Sequence, residues 1–234
     1  MKALVFDLDD TLYVRSEPYI SAYKKFFNNK YDIDGMELFL ASRDVSEEEY
    51  RKRVAGIISM DEMNINRVKN TFLKYDIELS DNECLEFEKV YTDCQKKIQL
   101  MPYFKKLLDY AKSNEWFIGI LSNGPVKRQH DKAEALGLSE WVPYDHILIS
   151  EETGISKPDK KAFRLMESLM SSNIDEKWLI GDSYSYDVVG AKKSGWHCAW
   201  IQRIWTEIPA SIEYKPDITS TNEEDIYNFI RLHL

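Results

Sequence analysis

The chain has 234 residues, of which 44% are hydrophobic and 13% aromatic, and its formal net charge is −9. This length allows one large domain or two smaller ones with a buried core. The acidic balance, without a long basic tract, argues against nucleic acid as a partner, because phosphate backbones require clustered lysine and arginine side chains. No apolar run approaches the ~18 residues of a membrane-spanning helix, so we expect a soluble protein with no membrane partner.

The N-terminus and the cysteines bear on the expected location. The apolar run at residues 3–6 is shorter than the ~7–15-residue apolar region of a secretory signal. Cys84 and Cys94 fall on one predicted helix, about 15 Å apart, which is too far for a disulfide. Together with Cys198 they are typical of buried thiols in a reducing compartment. We therefore expect a cytoplasmic protein.

The first predicted element is a strand at residues 2–7. Its apolar run is continuous rather than alternating, which is the pattern of a parallel strand covered on both faces. Residues 18–98 differ, because their apolar residues recur at helical spacing. This stretch predicts about four helices and no clear strand.

From residue 99 onward, the predicted elements alternate between helix and strand. Further strands are predicted at residues 116–121, 146–149, 178–181 and 197–201, and helices around residues 104–111, 125–136, 163–170, 185–194 and 223–233. Such alternation is typical of βαβ units and a parallel sheet. We therefore predict an α/β fold, in which residues 1–14 and 99–234 form a Rossmann-like parallel-sheet core and residues 15–98 form an inserted all-helical domain.

Three aspartates, Asp7, Asp9 and Asp10, lie at the end of the first predicted strand. Two unit charges about 4 Å apart repel by roughly 4 kcal/mol at an effective dielectric of about 20. The cluster therefore predicts a bound cation. A single aspartate near a strand end is more often a turn or helix cap, but two carboxylates at one strand end favour the functional interpretation.

Other predicted strands also lead into polar groups. These groups are Ser122 and Asn123 at the second strand, Lys157 past the third, and Asp182 and Asp187 after the fourth. In an open parallel sheet, sites form at the carboxyl ends of the strands. A pocket with several carboxylates, a hydroxyl and an ammonium suits phosphoryl transfer, and Mg²⁺ takes oxygen ligands of this kind.

Structural interpretations compete with the functional ones. Ser122 suits the N-cap of the next predicted helix, lysine side chains such as Lys157 are usually exposed, and Asp187 suits the start of a helix. For Tyr184 and Tyr186, core packing is favoured over lining a pocket. The four histidines show no metal-ligand spacing, so the predicted metal ligands are aspartates.

Four short motifs point to a known family. The segments DLDDT, SNG, KPD and GDSYSYD, in this order and with the helical stretch after the first, resemble the four motifs of the haloacid-dehalogenase-like hydrolase superfamily. The insertion lies where members with a type-one helical cap carry that cap. Each motif alone is weak, whereas four in order at predicted strand ends are a strong signal.

The resemblance implies a Mg²⁺-dependent phosphatase that acts through an aspartyl-phosphate intermediate. Asp7 would be the nucleophile on phosphorus, and Asp9 would protonate the leaving oxygen and later take a proton from water. The resemblance also implies that Mg²⁺ binds the carboxylates of Asp7 and Asp182 and the main-chain carbonyl oxygen of Asp9. The metal would shield the two anions from each other and polarise the phosphoryl group.

The resemblance further implies a set of residues around the phosphate. Ser122 would hydrogen-bond a phosphate oxygen, and Lys157 would neutralise the developing charge. Asp187 would orient Lys157 or a metal-bound water from nearby.

Three motif residues have weaker assignments. Thr11 and Asn123 belong to the predicted phosphate-binding group, and Thr11 is also expected to steady the turn that aims Asp9. Asp10 occupies a place where the family often has glycine. By alternation along the strand it should point away from Asp9, and we give it no catalytic role.

The predicted substrate is a small phosphorylated metabolite, in the class of nucleotide monophosphates, sugar phosphates and phosphoglycolate. A haloacid dehalogenase of the same family typically lacks the second aspartate, so Asp9 favours phosphate ester hydrolysis. A phosphate-moving mutase stays open, because it uses both aspartates and the same cap type. A receiver-like signalling domain would leave the helical insertion unexplained. Monomer and dimer both stay open, and the helical domain is expected to close as a lid that excludes water.

Overall fold

The computed structural model describes residues 1–28 and 30–234, and residue 29, inside the predicted helical domain, lies outside the described residues. Contacts between Cα atoms divide the chain into two compact units. One unit comprises Met1–Val14 and Gln99–Leu234, and the other comprises Arg15–Ile98. We refer to them as the sheet unit and the helical unit. Their roles as catalytic core and cap stay predictions.

The sheet unit is built around six strands. They are β1 (Lys2–Phe6), β2 (Phe117–Ser122), β3 (Ile147–Ile149), β4 (Glu176–Gly181), β5 (His197–Ile201) and β6 (Ile218–Ser220). Their order across the sheet is β3-β2-β1-β4-β5-β6, and every pairing is parallel. The predicted α/β fold with a parallel sheet and a helical insertion is confirmed. The strand order reverses between β1 and β4, which is where open α/β sheets place their ligands.

Ten α-helices accompany the strands in the described chain. The helical unit contains α1 (Ser16–Phe27), α2 (Gly35–Val54), α3 (Met60–Leu73) and α4 (Asp81–Gln95). The sheet unit contains α5 (Pro102–Ser113), α6 (Val126–Ala135), α7 (Ser150–Thr153), α8 (Lys160–Glu167), α9 (Val189–Lys193) and α10 (Glu223–His233). The four helices of the helical unit therefore lie between β1 and β2 in the chain.

The central position of β1 follows from its continuous apolar sequence. Val5 and Phe6 are fully buried although they point to opposite faces of the sheet. On one face Val5 joins a core cluster that includes Phe163 of α8 and Trp200 of β5. On the other face Phe6 meets Phe104 of α5, with 5.9 Å between the ring centroids. Burial on both faces fixes the position of this strand, and with it the start of the segment that follows.

The helical unit encloses an aromatic core of its own. Tyr19, Phe27, Phe72 and Phe87 are all buried. The rings of Phe27 and Phe72 lie 4.9 Å apart between centroids, and those of Tyr19 and Phe87 lie 5.7 Å apart. Such contacts between rings stabilise a bundle beyond the effect of the buried area.

The sheet unit differs from the sequence prediction in several details, among them the unpredicted short helix α7. The sequence does not predict β6, because three residues are too few to show a period of two. The helix predicted at 163–170 ends at Glu167. The helix predicted at 185–194 begins instead as a π-helical turn, Tyr184–Val188. In that turn the N–H groups of Asp187 and Val188 both donate to the carbonyl oxygen of Ser183, at 2.9 and 3.2 Å.

Two observations bear on the expected surroundings of the protein. Within residues 1–28 and 30–234, no helix has the length and apolar character needed to cross a membrane. The thiols of Cys84, Cys94 and Cys198 are unpaired. Burial raises the pKa of Cys84 to about 11, so this thiol stays protonated near neutral pH.

Candidate active site

Three carboxylates meet at the carboxyl ends of β1 and β4. Asp7 directly follows β1, and Asp182 directly follows β4, which is its neighbour in the sheet. The N–H of Asp7 donates to the carbonyl oxygen of Ile180 at 2.8 Å, so strand pairing fixes the position of the aspartate. Asp187 reaches the same place from the π-helical turn. One carboxylate oxygen of each aspartate lies within 4.8 Å of the others, and all three residues are buried.

The close approach of Asp187 depends on Gly181. A Cβ atom added at Gly181 would lie 2.3 Å from the carboxyl carbon of Asp187, which is far inside van der Waals contact. The N–H of Ser183 donates to Oδ2 of Asp187 at 2.9 Å and holds the carboxylate in place. The segment GDS therefore supplies one acidic group and positions another.

Lys157 lies between two of these carboxylates. Its Nζ donates to Oδ1 of Asp7 and to Oδ1 of Asp187, both at 2.6 Å, and the residue is 2% exposed. Asn123 fixes the main chain at this point. Its Oδ1 accepts from the N–H of Lys157 at 2.9 Å, and its Nδ2 donates to the carbonyl oxygen of Lys157 at 3.0 Å. The amide of Asn123, predicted to bind phosphate, is thus engaged with the main chain of Lys157.

Burial dominates the electrostatics of this cluster. Burial is the main cause that raises the pKa of Asp7 to about 7. The positive charge of Lys157 lowers this pKa, and the negative charge of Asp187 raises it further. For Lys157, burial lowers the pKa, but the carboxylates of Asp187 and Asp7 outweigh that effect and the net pKa is raised. The cluster therefore holds more carboxylate charge than one ammonium balances.

A divalent cation fits this set of donors. Asp7, Asp182 and Asp187 offer hard oxygen atoms close to one another in a buried place. Mg²⁺ is bound by carboxylates of this kind together with substrate phosphate. The excess negative charge left by Lys157 would be balanced by such an ion.

The raised pKa of Asp7 predicts how stability depends on pH when metal is removed. The folded protein keeps a proton on Asp7 up to a pH of about 7, whereas the unfolded chain releases it near the ordinary value of 3.8. This stabilising contribution is therefore complete below the unfolded pKa and is lost as the pH rises through the folded pKa. With a chelator present, the free energy of unfolding of Asp7→Asn should exceed that of wild type by roughly 2–4 kcal/mol at about pH 8. Near about pH 4 the two proteins should differ little in the free energy of unfolding.

Urea denaturation of both proteins across this pH range measures the difference. The asparagine is a constant neutral reference, because it does not titrate. A stability difference that does not change between acidic and alkaline pH would show that Asp7 does not titrate in this way.

The carboxylate of Asp9 faces α6 rather than the acidic cluster. Both of its oxygens accept from Nζ of Lys132, at 2.7 and 2.8 Å. Oδ2 also accepts from Nε2 of Gln129 at 3.1 Å, and Oδ1 accepts from the hydroxyl of Tyr13. Ser122 joins this group, since its Oγ accepts from Nε2 of Gln129 at 2.6 Å.

Gln129 and Lys132 are buried, yet the sequence motifs do not include them. α6 reads VKRQHDKAEA, and its few apolar residues do not form a continuous stripe. A helix packed on a core without such a stripe must bury polar side chains. The missing apolar stripe is therefore the feature of the sequence that indicates buried polar residues on α6. Gln129 and Lys132 lie three positions apart, which places them on one face of the helix.

The turn after β1 explains the residue at position 10. Asp10 is fully buried and has a φ of 57°, in the left-handed region that favours glycine and also tolerates aspartate. Nε of Arg203 donates to its carbonyl oxygen at 2.7 Å, and Nε1 of Trp205 donates to its Oδ2 at 3.2 Å. Asp10 therefore supports the turn.

The hydroxyl of Thr11 differs from the other polar groups of the motif. Thr11 is fully buried, and its Oγ1 has no hydrogen-bond partner among the residues that the structure describes. Its carbonyl oxygen accepts from Nη2 of Arg203 at 3.2 Å, so the main chain of Thr11 is held from outside the motif.

Tyr184 packs into the sheet unit. Its ring lies 5.4 Å from that of Trp200 between centroids, and its hydroxyl accepts from the N–H of Tyr214 at 3.1 Å. This agrees with the expected core packing. The π-helical turn thus anchors its aromatic side in the core while Asp187 reaches the acidic cluster.

The motifs of the sheet unit identify the family of the chain. The sequence profile of the haloacid dehalogenase-like hydrolases matches residues 1–195, a span that includes Asp7, Lys157 and Asp187. The chain belongs to the haloacid dehalogenase-like hydrolases. The resemblance carried by the four motifs is confirmed, and the helical insertion between β1 and β2 of this hydrolase agrees with a type-one cap.

Several curated relatives of this hydrolase are named as phosphatases. A glyceraldehyde 3-phosphate phosphatase from Methanothermobacter thermautotrophicus is 26% identical over 230 residues, which cover 97% of this chain and 96% of that protein. A second relative is also named a glyceraldehyde 3-phosphate phosphatase, and two others are named ribulose-1,5-bisphosphate 5-phosphatase and phosphoserine phosphatase.

Solved structures share the fold of this hydrolase. The magnesium-bound hydrolase YfnB from Bacillus subtilis has a TM-score of 0.73 at 22% identity, with 98% of both chains covered. The L-2-haloacid dehalogenase from Xanthobacter autotrophicus, with chloropropionic acid covalently bound, has a TM-score of 0.73 at 15% identity, with 100% of both chains covered. At these identities the similarity shows the fold and does not decide the reaction.

Proposed function

We propose that this hydrolase is a Mg²⁺-dependent phosphatase that hydrolyses a small phosphorylated metabolite through an aspartyl-phosphate on Asp7. The observation that carries the proposal is the contrast between two aspartates at one strand end. Asp7 is paired with the buried ammonium of Lys157 beside two further carboxylates, whereas Asp9 lies in a separate network of donors. Two carboxyl groups in different environments suit one nucleophile and one proton carrier.

The chemistry proceeds in two displacements. An oxygen of Asp7 attacks phosphorus, the bond from phosphorus to the ester oxygen breaks, and protonated Asp9 gives its proton to the leaving oxygen. Water then attacks the phosphoryl group, Asp9 accepts a proton from that water, and the bond from phosphorus to Asp7 breaks. Inorganic phosphate leaves, and both aspartates return to their initial states.

The remaining polar groups assist by position and charge. Lys157, held by Asn123, supplies positive charge beside the attacking carboxylate, and Asp187 orients it. The hydroxyl of Ser122 lies where β2 ends and is assigned to donate a hydrogen bond to a phosphate oxygen. A positive charge beside the reacting group stabilises the transition state, because negative charge on the phosphoryl oxygens is balanced there.

The metal assignment rests on the acidic cluster. The carboxylates of Asp7 and Asp182 and the carbonyl oxygen of Asp9 would hold Mg²⁺, with Asp187 close enough to the other carboxylates to bind directly or through water. When bound, the ion supplies charge neutralisation and Lewis-acid polarisation of the phosphoryl group.

Asp9 favours a phosphatase over a dehalogenase, because the dehalogenase reaction needs no proton donor at that place. The named activities of the curated relatives support the class of phosphorylated metabolites. The identity of the substrate stays a prediction.

A panel assay tests the proposed function. Inorganic phosphate release is measured for nucleotide monophosphates, sugar phosphates and phosphoglycolate, with Mg²⁺ and with EDTA. Halide release from 2-haloacids and isomer formation from hexose phosphates are measured beside it. The proposal expects metal-dependent phosphate release. Halide release or isomer formation without phosphate release would replace it with a dehalogenase or a mutase.

Asp182→Ala should weaken Mg²⁺ binding by about tenfold or more, because it removes a buried ligand oxygen. Isothermal titration calorimetry with Mg²⁺ alone measures the dissociation constant without substrate. Asp145→Ala, at an exposed position, is the matched control and should bind Mg²⁺ like wild type. An unchanged affinity of Asp182→Ala would remove Asp182 from the ligand set.

A further inference from the structure

The inner face of α6 carries two polar side chains that the four motifs do not explain. Gln129 is 1% exposed and Lys132 is 6% exposed. An ammonium group is costly to bury unless it is paired and hydrogen-bonded. An apolar side chain at position 132 would avoid that cost, so the pairing of Lys132 indicates a role for the charge at this place.

The contacts of Lys132 converge on Asp9. Its Nζ donates to Oδ1 of Asp9 at 2.7 Å, to Oδ2 of Asp9 at 2.8 Å and to Oε1 of Gln129 at 2.7 Å. Three acceptors therefore match the three N–H bonds of an ammonium. Because both carboxylate oxygens of Asp9 are engaged by the same nitrogen, the carboxylate is restrained against rotation.

Gln129 connects this pair to the end of β2. Its Nε2 donates to Oδ2 of Asp9 at 3.1 Å and to Oγ of Ser122 at 2.6 Å. The amide therefore links the proposed proton carrier to the hydroxyl assigned to the phosphate. A helix and two strand ends are joined by one continuous set of hydrogen bonds.

We propose that Lys132 and Gln129 are positioning residues, which hold the carboxyl group of Asp9 in one orientation and fix its distance from Ser122. The inference rests on the proposed function, in which Asp9 protonates the leaving oxygen. Lys132 acts through Asp9 and does not itself touch the reacting atoms.

Leaving-group dependence distinguishes this role from a merely structural one. Phenyl phosphate needs protonation of its leaving oxygen, whereas p-nitrophenyl phosphate releases a stable anion that needs little. General acid catalysis contributes about 10²- to 10⁴-fold. Lys132→Met should therefore lower kcat/KM for phenyl phosphate by about 10²-fold, and for p-nitrophenyl phosphate by less than about tenfold. A structural defect would lower both by the same factor.

Lys127→Met is the matched control on the same helix, because the side chain of Lys127 is 86% exposed. It should leave both values within about twofold of wild type, as surface substitutions usually do. Gln129→Leu provides a second variant that keeps the charge of Lys132. Like Lys132→Met, it should lower kcat/KM more for phenyl phosphate than for p-nitrophenyl phosphate, but both losses should be smaller.

A double-mutant cycle tests whether Lys132 acts through Asp9. Asp9→Asn, Lys132→Met and the double variant are compared with phenyl phosphate. The double variant should be no more than about threefold slower than Asp9→Asn, because interacting residues are not additive. A full additional loss in the double variant, or equal losses for the two substrates in the single variant, would overturn the proposal.

Urea denaturation of the same four proteins separates this proposal from the proposed function. The fall in the urea midpoint caused by Lys132→Met should be at least halved in the Asp9→Asn background, since the ion pair between Lys132 and Asp9 is already absent there. If wild type releases no phosphate from any ester, the proposed function fails, while this cycle still reports the link between the two residues. An equal fall in both backgrounds would show that the link is absent.

Discussion

Asp7→Asn should lower turnover of every phosphate ester by at least about 10⁴-fold, because the amide cannot form the covalent intermediate. The substitution keeps the size of the side chain and its place after β1. The hydrogen bond from the main-chain N–H of residue 7 to the carbonyl oxygen of Ile180 does not involve the side chain and should persist. The measurement is steady-state phosphate release with Mg²⁺, using the best substrate from the panel.

Asp10→Asn is the control for this result. Asp10 lies in the same turn, and asparagine tolerates its positive φ. The variant should retain activity within about tenfold of wild type, because Asp10 supports the turn rather than the reaction. If Asp7→Asn retained activity within about 100-fold of wild type, the covalent route would be refuted.

Lys157→Met should destabilise the metal-free protein by about 3–5 kcal/mol and lower kcat by about 10²- to 10³-fold. The substitution leaves Asp7 and Asp187 buried and facing each other without the ammonium that both contact at 2.6 Å. Breaking a buried pair by removing one partner is costly, because the remaining charge is not compensated. Urea denaturation in EDTA measures the free energy of unfolding.

Two companion variants make the cause of this loss testable. Lys160→Met, at an exposed position, should change the free energy of unfolding by no more than about 0.5 kcal/mol. Asp187→Asn combined with Lys157→Met should recover part of the stability, because one of the two facing charges is removed. If Lys157→Met alone were as stable as wild type, the ion pairs of Lys157 would not hold the cluster together.

Much of the fold could be predicted because its signals are local. The continuous apolar run of β1 indicates a central parallel strand, and helical spacing in α1 to α4 separates the insertion from the alternating remainder. β6 could not be found, since three partly exposed residues carry no periodicity. The π-helical turn also gave no signal, because it depends on Asp187 reaching Ser183 and the acidic cluster.

The acidic cluster could be predicted because the topology places it. Parallel strands end at one edge of the sheet, so Asp7 and Asp182 meet without any information about side-chain packing. The structure brings Lys157 to them and assigns Asn123 to the main chain of Lys157. The hydrogen-bond partners of the Asn123 amide and the Lys157 ammonium depend on side-chain packing. The positions of the strand ends do not determine them.

The network around Asp9 could not be predicted from motifs. Gln129 and Lys132 lie 120 and 123 residues after Asp9 in the chain, and no local pattern links them. The same holds for Arg203, which supports the turn at Asp10 from a distance of 193 residues. Contacts of this range depend on how helices and loops pack on the finished sheet.

The central claim is that Asp7 becomes phosphorylated during turnover, and rapid acid quench followed by peptide mass mapping tests it most directly. With Mg²⁺ and a substrate from the panel, we expect one phosphoryl group on the peptide that contains Asp7 and none on that peptide in Asp7→Asn. A phosphoryl group on another residue, or full turnover with the peptide of Asp7 unmodified throughout, would contradict the account.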